Sequence, residues 1–301
     1  MITNFQTVGF STLRDKLALA VGADAVGGQV TYPLARNLVR ALNVATREAW
    51  ETYPWEEVCP VLTALEVDAG SGRMVSIPGR GYQVLRVFSE DPEAKWMDED
   101  DMEACSVPFR LGRRGDVILQ GSLTTPYYLV KLAPPEWGAE LWSETVDYNS
   151  GAVVYEGATD NSEQDCYRAE RGNMNVALPT WQEWAESNDI TTGEYYLAHG
   201  VLWVATDTGT LEDDLEPGRG AVWQSFFTKE HAEWAPQRLP KFLEEAVLAG
   251  AEAWLSRTME GQPVTGNMVR KAMDEFLSRE VVSRFSTRGQ SAVTGQSLSL
   301  R

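Results

Sequence analysis

The side chains best suited to covalent or acid–base chemistry are scarce in this chain. Its 301 residues include two histidines, His199 and His231, and three cysteines, Cys59, Cys105 and Cys166. His199 stands near Asp207, and His231 beside Glu230 and Glu233, but neither has a nucleophile signature around it. The cysteines are far apart and form no CxxC pair, so they support neither a zinc ribbon nor a disulfide framework and read as buried free thiols. HExxH, GxxxxGK[ST] and GxSxG are all absent. Carboxylates are plentiful, most densely in SEDPEAKWMDEDDMEA, where Glu90, Asp91, Glu93, Asp98, Glu99, Asp100, Asp101 and Glu103 face one Lys95. That run lacks the alternating ligands and central glycine of a calcium loop, and reads as a solvated loop or a docking surface for a basic partner. No catalytic residue, metal site or cofactor is assigned, and the chain is expected not to be an enzyme.

Composition points the same way. Forty-four Asp and Glu outnumber 26 Lys and Arg, for a net charge of -18, so a general phosphate-neutralising surface for nucleic acid is not expected. No stretch of about 18 apolar residues could cross a membrane. The first residues contain no uninterrupted apolar segment, and a soluble, cytosolically made protein is expected. Eleven Trp, ten Tyr and nine Phe suit a protein built for contacts.

The elements that must position these groups fall into four blocks. In the first, Leu13, Leu17 and Val21 recur at helical spacing after Ser11 and stop at Gly22 or Gly27-Gly28. A second helix is expected from Thr31 as N-cap with Pro33 in the first turn. It carries an apolar stripe of Leu34, Leu38, Ala41, Leu42, Ala45 and Ala49, with Arg36, Arg40 and Arg47 mostly off it beside Asn43. Pro54 should end this helix between Trp50 and Tyr53, leaving Trp50, Tyr53 and Trp55 to close the core where helix meets sheet. The second block reads as strands: residues 74–77, 81–88, a hairpin of 107–111 with 117–119, and 127–132, stopped by Pro134-Pro135.

The third block, 145–227, states one pattern twice. Gly151-Ala152-Val153-Val154-Tyr155, then Cys166-Tyr167-Arg168-Ala169, then Trp181 parallels Gly193-Glu194-Tyr195-Tyr196-Leu197, then Leu202-Trp203-Val204, then Trp223. The pattern resembles small aromatic modules of the chitin-binding type found on secreted glycosidases. That resemblance implies exposed rings stacking on sugars, with Tyr155, Tyr167, Trp181, Trp203 and Trp223 as candidates; the alternative is that these rings pack inward as the core of small units. In the last block Phe242, Leu243, Ala246, Val247, Gly250, Ala251, Trp254 and Leu255 share a helical face. A turn at 261–266 precedes a second helix bearing Met268, Val269, Ala272, Met273, Phe276, Leu277, Val281 and Val282. From Asn267 onward six basic residues face three acidic ones, and residues 286–301 are expected to form a mildly basic, flexible arm.

The fold class expected is α+β: a helical bundle formed by N- and C-terminal helices, with an inserted antiparallel β-rich middle region. The expected divisions are 1–58 with 236–285 as the helical core, 59–137 as a β-rich insertion, 138–235 as tandem aromatic modules, and 286–301 as the arm. This order resembles head–tail connector (adaptor or neck) proteins of tailed bacteriophages. The likeness is carried by Ala49-Trp50-Glu51-Thr52-Tyr53-Pro54-Trp55, Val87-Phe88-Ser89-Glu90-Asp91-Pro92, Leu239-Pro240-Lys241-Phe242, Ala249-Gly250-Ala251-Glu252-Ala253-Trp254-Leu255, Gly261-Gln262 and Lys271-Ala272. It implies a homo-oligomeric ring, often a dodecamer, docked on the portal protein, joined to tail or neck proteins, and passing DNA through its channel without reading its sequence. It would place the protein in the virion neck, and in the host cytoplasm during assembly. The C-terminal segment would reach the portal or a neighbour, making Arg284, Phe285, Arg288, Gln290, Leu298, Leu300 and Arg301 the contact candidates. A glycan-binding virion or surface protein is the second reading.

Overall fold

A computed structural model describes residues 6–22, 32–53, 55, 58–59, 61–63, 66–67, 74–76, 83–90, 104–111, 117–119, 127–138, 140–156, 165–169, 172–173, 176–184, 189–198, 201–209 and 234–287. In chain order the first elements are β1 (Thr7–Val8), α1 (Phe10–Ala20) and α2 (Tyr32–Thr52). Next come β2 (Val61–Thr63), β3 (Glu66–Val67), β4 (Met74–Ser76), β5 (Gln83–Phe88), β6 (Phe109–Leu111), β7 (Val117–Leu119) and β8 (Tyr127–Lys131). They are followed by β9 (Glu140–Leu141), β10 (Val153–Tyr155), β11 (Cys166–Ala169), β12 (Trp181–Glu183), β13 (Tyr195–Ala198), β14 (Val201–Val204), β15 (Trp234–Gln237) and β16 (Leu239–Pro240). A 3-10 turn, Lys241–Leu243, leads into α3 (Glu244–Met259) and α4 (Gly266–Thr287). The class is α+β.

Local rules account for the helix ends. Gly22 sits at φ 67° directly after α1, the left-handed position that only glycine adopts without strain. Gly261, at φ 68°, does the same after α3. Helix α2 stops at Thr52, two residues before Pro54, as the restriction on the residue preceding proline requires. The N-cap of α1 is Gly9, with no side-chain cap bond, so Ser11 lies inside the helix. Helix α4 runs through Thr287, past residue 285 where helix was expected to give way to an arm.

The N-terminal strand is tied to the strand that leads into the last two helices. Strands β1 and β16 pair antiparallel, Thr7 opposite Pro240 and Val8 opposite Leu239. One apolar core then takes Phe10, Leu13 and Leu17 from α1, Leu38, Leu42, Ala45 and Ala49 from α2, Val247, Ala251 and Leu255 from α3, and Val269, Met273 and Leu277 from α4. Burying such side chains contributes about 1.5–3 kcal/mol for each large one. Close approach of α3 and α4 depends on Gly250: a methyl group there would lie 2.7 Å from the Met273 sulfur. Trp55 closes the corner as expected, with Tyr53 at 5.0 Å and Phe242 edge-on at 5.1 Å.

Helix α2 also holds the strand-rich middle. Asn43 donates Nδ2–H to the Trp137 carbonyl and accepts the Trp137 N–H, both at 2.9 Å. Thr46 Oγ1 accepts the Trp137 indole N–H at 2.9 Å, and the Trp50 indole donates to the Leu132 carbonyl at 2.8 Å. Positions 43, 46 and 50 share one helix face, so α2 satisfies segment 132–137 as a neighbouring strand would. The 107–119 hairpin forms, Phe109 opposite Leu119. Strands β4 and β5, adjacent in sequence, join different sheets: β3-β4-β7-β6 and β2-β8-β5.

One expectation is corrected. Pairing in the 61–131 sheets is antiparallel throughout, but β9 pairs with β10, and β12 with β13, in parallel. The loops between those partners carry the chain back to the start of the strand and not around a tight hairpin, which makes these sheets mixed. Strand β15, on β11, crosses the expected 235/236 boundary, so the seam is a shared sheet.

Candidate interaction surface

The two aromatic modules are equivalent at the level of individual hydrogen bonds. The Gly151 N–H bonds the Ala169 carbonyl at 2.7 Å, and the Gly193 N–H bonds Ala205 at 2.8 Å, with φ of 90° and 87°. Trp142 donates its backbone N–H to Tyr155, and Trp184 to Leu197, at 2.9 and 3.0 Å. Bridges Tyr148–Asn173 and Ile190–Gly209 close each unit at the same place. Gly151 and Gly193, Trp142 and Trp184, and Tyr148 and Ile190 all stand 42 positions apart, and past the variable loop Tyr167 matches Trp203. The sequence repeat is therefore structural, although Trp181 belongs to the opening strand of the second unit rather than the end of the first.

This equivalence sorts the ring candidates. Tyr167 and Trp203 are 3% and 1% exposed; their faces are covered, as the inward-packing reading has it, and these two are removed from the sugar-stacking candidates. Units this small have little other volume with which to fill a core, so the largest rings turn inward. Burial pushes the Tyr167 hydroxyl well above its usual range, keeping it neutral. Tyr155 is half-buried beside Phe10, ring centroids 6.1 Å apart, and mounts the first module on α1. Trp181 is half-buried; its indole donates to the Tyr167 hydroxyl at 3.2 Å, and Arg238 lies 5.5 Å from its centroid. Trp223 lies outside the described residues. The partly open rings at matching positions are Trp142 and Trp184, which the sequence reading missed; their 42-residue spacing, shared with the glycines, is the signal that finds them.

A polar junction binds both modules to the terminal strands. Arg238, between β15 and β16, pairs with Asp165 at 2.6 Å and donates Nε–H to Thr7 Oγ1 at 2.9 Å. The Thr7 hydroxyl in turn donates to Glu183 of β12. Four segments distant in sequence meet there. The Asp165 and Arg238 side chains are 10% and 12% exposed, a setting in which neither charge is tolerated without the other. At the α1–α3 contact Glu244 lies buried between Lys16 at 2.6 Å and Lys241 at 2.5 Å. Burial disfavours its charge, but the hydrogen bonds and charges of the two lysines outweigh that and hold its carboxyl below the usual range.

Cys59 and Cys166 are buried free thiols as expected, whereas Cys105 is only half-buried. Burial pushes the Cys166 thiol up to about 12 and raises Cys59 as well, against the opposing charge of Lys131; thiols so placed are unreactive. No group of three or more His, Cys, Asp or Glu among the described residues could hold a metal ion, and no helix among them is long and apolar enough to cross a membrane. His199, His231 and residues 91–103 of the acidic run lie outside the described residues. Of the C-terminal candidates, Arg284 and Phe285 fall within the last turns of α4; Arg288, Gln290, Leu298, Leu300 and Arg301 lie outside the described residues. No protein-family model, no curated protein and no solved structure matches the chain.

Proposed function

We propose that this chain is a virion structural protein, a head–tail connector subunit that forms a ring on the portal, joins it to the tail or neck, and lines the DNA channel. The observation that carries the reading is the single core shared by segments 8–59 and 239–281, with β1 paired to β16. On this reading the terminal helices are a bundle and the sheets are modules mounted on it. A scaffold closed by its own two ends leaves the inserted modules free to vary while the bundle keeps a constant shape for side-by-side assembly. A net charge of -18 suits a channel wall over which DNA slides, since a basic wall would bind phosphate and slow its passage. The role is non-catalytic, exercised in the virion neck after assembly in the host cytoplasm. The C-terminal segment reaches the portal, with Arg284, Phe285, Arg288, Gln290, Leu298, Leu300 and Arg301 as the contacting residues. Deleting residues 286–301 should leave a folded subunit that no longer joins portal-bearing capsids; normal incorporation would refute that assignment.

A second reading, a glycan-binding virion protein, is favoured by Trp142 and Trp184, partly open at equivalent positions of the twin modules. A polysaccharide pull-down that Trp184→Ala abolishes while the melting temperature holds would support it.

A further inference from the structure

Helix α2 is embedded nearly all round. Of its described side chains, those fully exposed are Arg36, Arg40, Arg47 and Glu51. At 100° per residue the three arginines fall within about 40° of one another and run along one line of about 16 Å. With Glu51, which lies about 60° from Arg36 and one turn past Arg47, they form the helix's outward strip among the described residues, three positive charges to one negative. Arg40 is braced over the Trp254 ring at 5.7 Å. None of the three makes an ion pair among the described residues, in a chain where acids outnumber bases 44 to 26. Residues 25–47 contain no Asp or Glu at all. The buried Asp165 and Glu244 are matched by Arg238 and by Lys16 and Lys241, whereas the exposed strip of α2 keeps a net positive charge with no ion pair to its arginines among the described residues.

We infer that the Arg36–Arg40–Arg47 ridge is a self-association surface that docks on the acidic surface of a second copy of this chain. Copies carrying -18 each repel one another, so they associate only where opposite charges are brought face to face. A head-to-tail contact supplies that arrangement, because it joins two different patches of the same molecule. Arginine suits the role, being weakly hydrated and able to bond a carboxylate through two N–H groups at once. The acidic side is abundant: Glu252, Glu260, Asp274 and Glu275 are exposed on or beside α3 and α4 and make no ion pair among the described residues. The inference rests on the connector reading in taking a like copy as the occupant and not DNA, since a ridge turned to the channel would grip the phosphates.

Sedimentation velocity of the full chain at low ionic strength, about 10 mM, where the screening length is ~30 Å, tests it. The wild type should self-associate, and 1 M salt should disperse it. Arg36→Glu/Arg40→Glu/Arg47→Glu should associate roughly a hundredfold more weakly, with an unchanged circular dichroism spectrum and melting temperature. The same positions changed to lysine should retain most of the association. A wild type that stays monomeric at low salt, or a triple Glu variant that associates normally, overturns the inference. So does fluorescence anisotropy showing that the ridge binds a DNA duplex while leaving self-association unaltered. Capsid binding separates this failure from failure of the connector reading. A triple Glu variant that fails to self-associate but still docks singly on portal-bearing capsids upholds both. A wild type that self-associates through the ridge yet never binds such capsids sinks the connector reading alone.

Discussion

Gly138 joins the segment clamped on α2 to the first aromatic module, and replacing it with alanine should be costly. The added methyl carbon would lie 2.5 Å from the Val153 carbonyl oxygen, 2.8 Å from its carbonyl carbon and 3.1 Å from Val153 Cγ1. Even close C–H···O contacts keep carbon and oxygen ~3.3–3.6 Å apart. Neither side can yield easily. Trp137 is held by three hydrogen bonds to Asn43 and Thr46, and Val153 lies in β10 between β9 and β11. Gly138 lies outside the left-handed region, so the cost is steric. Overpacking typically costs about 1–3 kcal/mol, and a backbone-to-backbone clash belongs at the upper end. Stiffening of the unfolded chain returns about 0.4–1 kcal/mol, leaving a net loss of about 2 kcal/mol. For a chain of 301 residues that corresponds to a melting temperature lower by about 3 °C. Gly172→Ala is the control: its methyl would meet only the Tyr148 carbonyl oxygen, at 3.7 Å, and its backbone is equally ordinary. Scanning calorimetry should show the control unchanged within about 1 °C. Equal melting temperatures for the two variants would refute the argument.

Gly250→Ala meets a similar approach, 2.7 Å, but against the flexible Met273 side chain, so a loss nearer ~1 kcal/mol is expected by urea denaturation. Asp165→Asn leaves the buried Arg238 charge without its carboxylate, and should cost about 3 kcal/mol in the same assay. The carboxyl of Glu244 is held below its unfolded value, so its stabilisation is complete above the usual carboxylate range and lost as pH falls through the folded value. Wild type should therefore lose melting temperature more steeply than Glu244→Gln on acidification from about pH 5 to well below ~4, and parallel curves there would count against the lysine–glutamate–lysine contact.

Much of the local structure was readable from residue order. Helix α2 could be bounded from Pro54, α3 from Gly261, and α1 from Gly22 or Gly27-Gly28, of which the structure uses Gly22, because these residues act on the backbone next to them whatever surrounds the chain. The repeat was legible too, since Gly151 and Gly193 need the same positive φ and recur with the same flanking rings. The candidate site was harder to read. Tyr167 and Trp203 fit either a stacking platform or a core position, because a large ring on a strand has the same sequence signature whether it faces in or out. Their burial follows from what lies across the sheet, Trp234 and Tyr148 for the first module, and no local period records it.

Residue order alone set the four helices, several of their ends, the acidic balance, and the presence of a duplicated unit, since all of these depend on composition or on neighbours a few positions away. Assembly in three dimensions chose the partners: β1 for β16, parallel β9 for β10, Asn43 for the Trp137 peptide, and Arg238 for Asp165. Such pairings join groups from 14 to more than 200 positions apart. They are selected by the need to bury apolar surface while leaving each polar group bonded, a condition on the whole molecule that no short window of sequence contains.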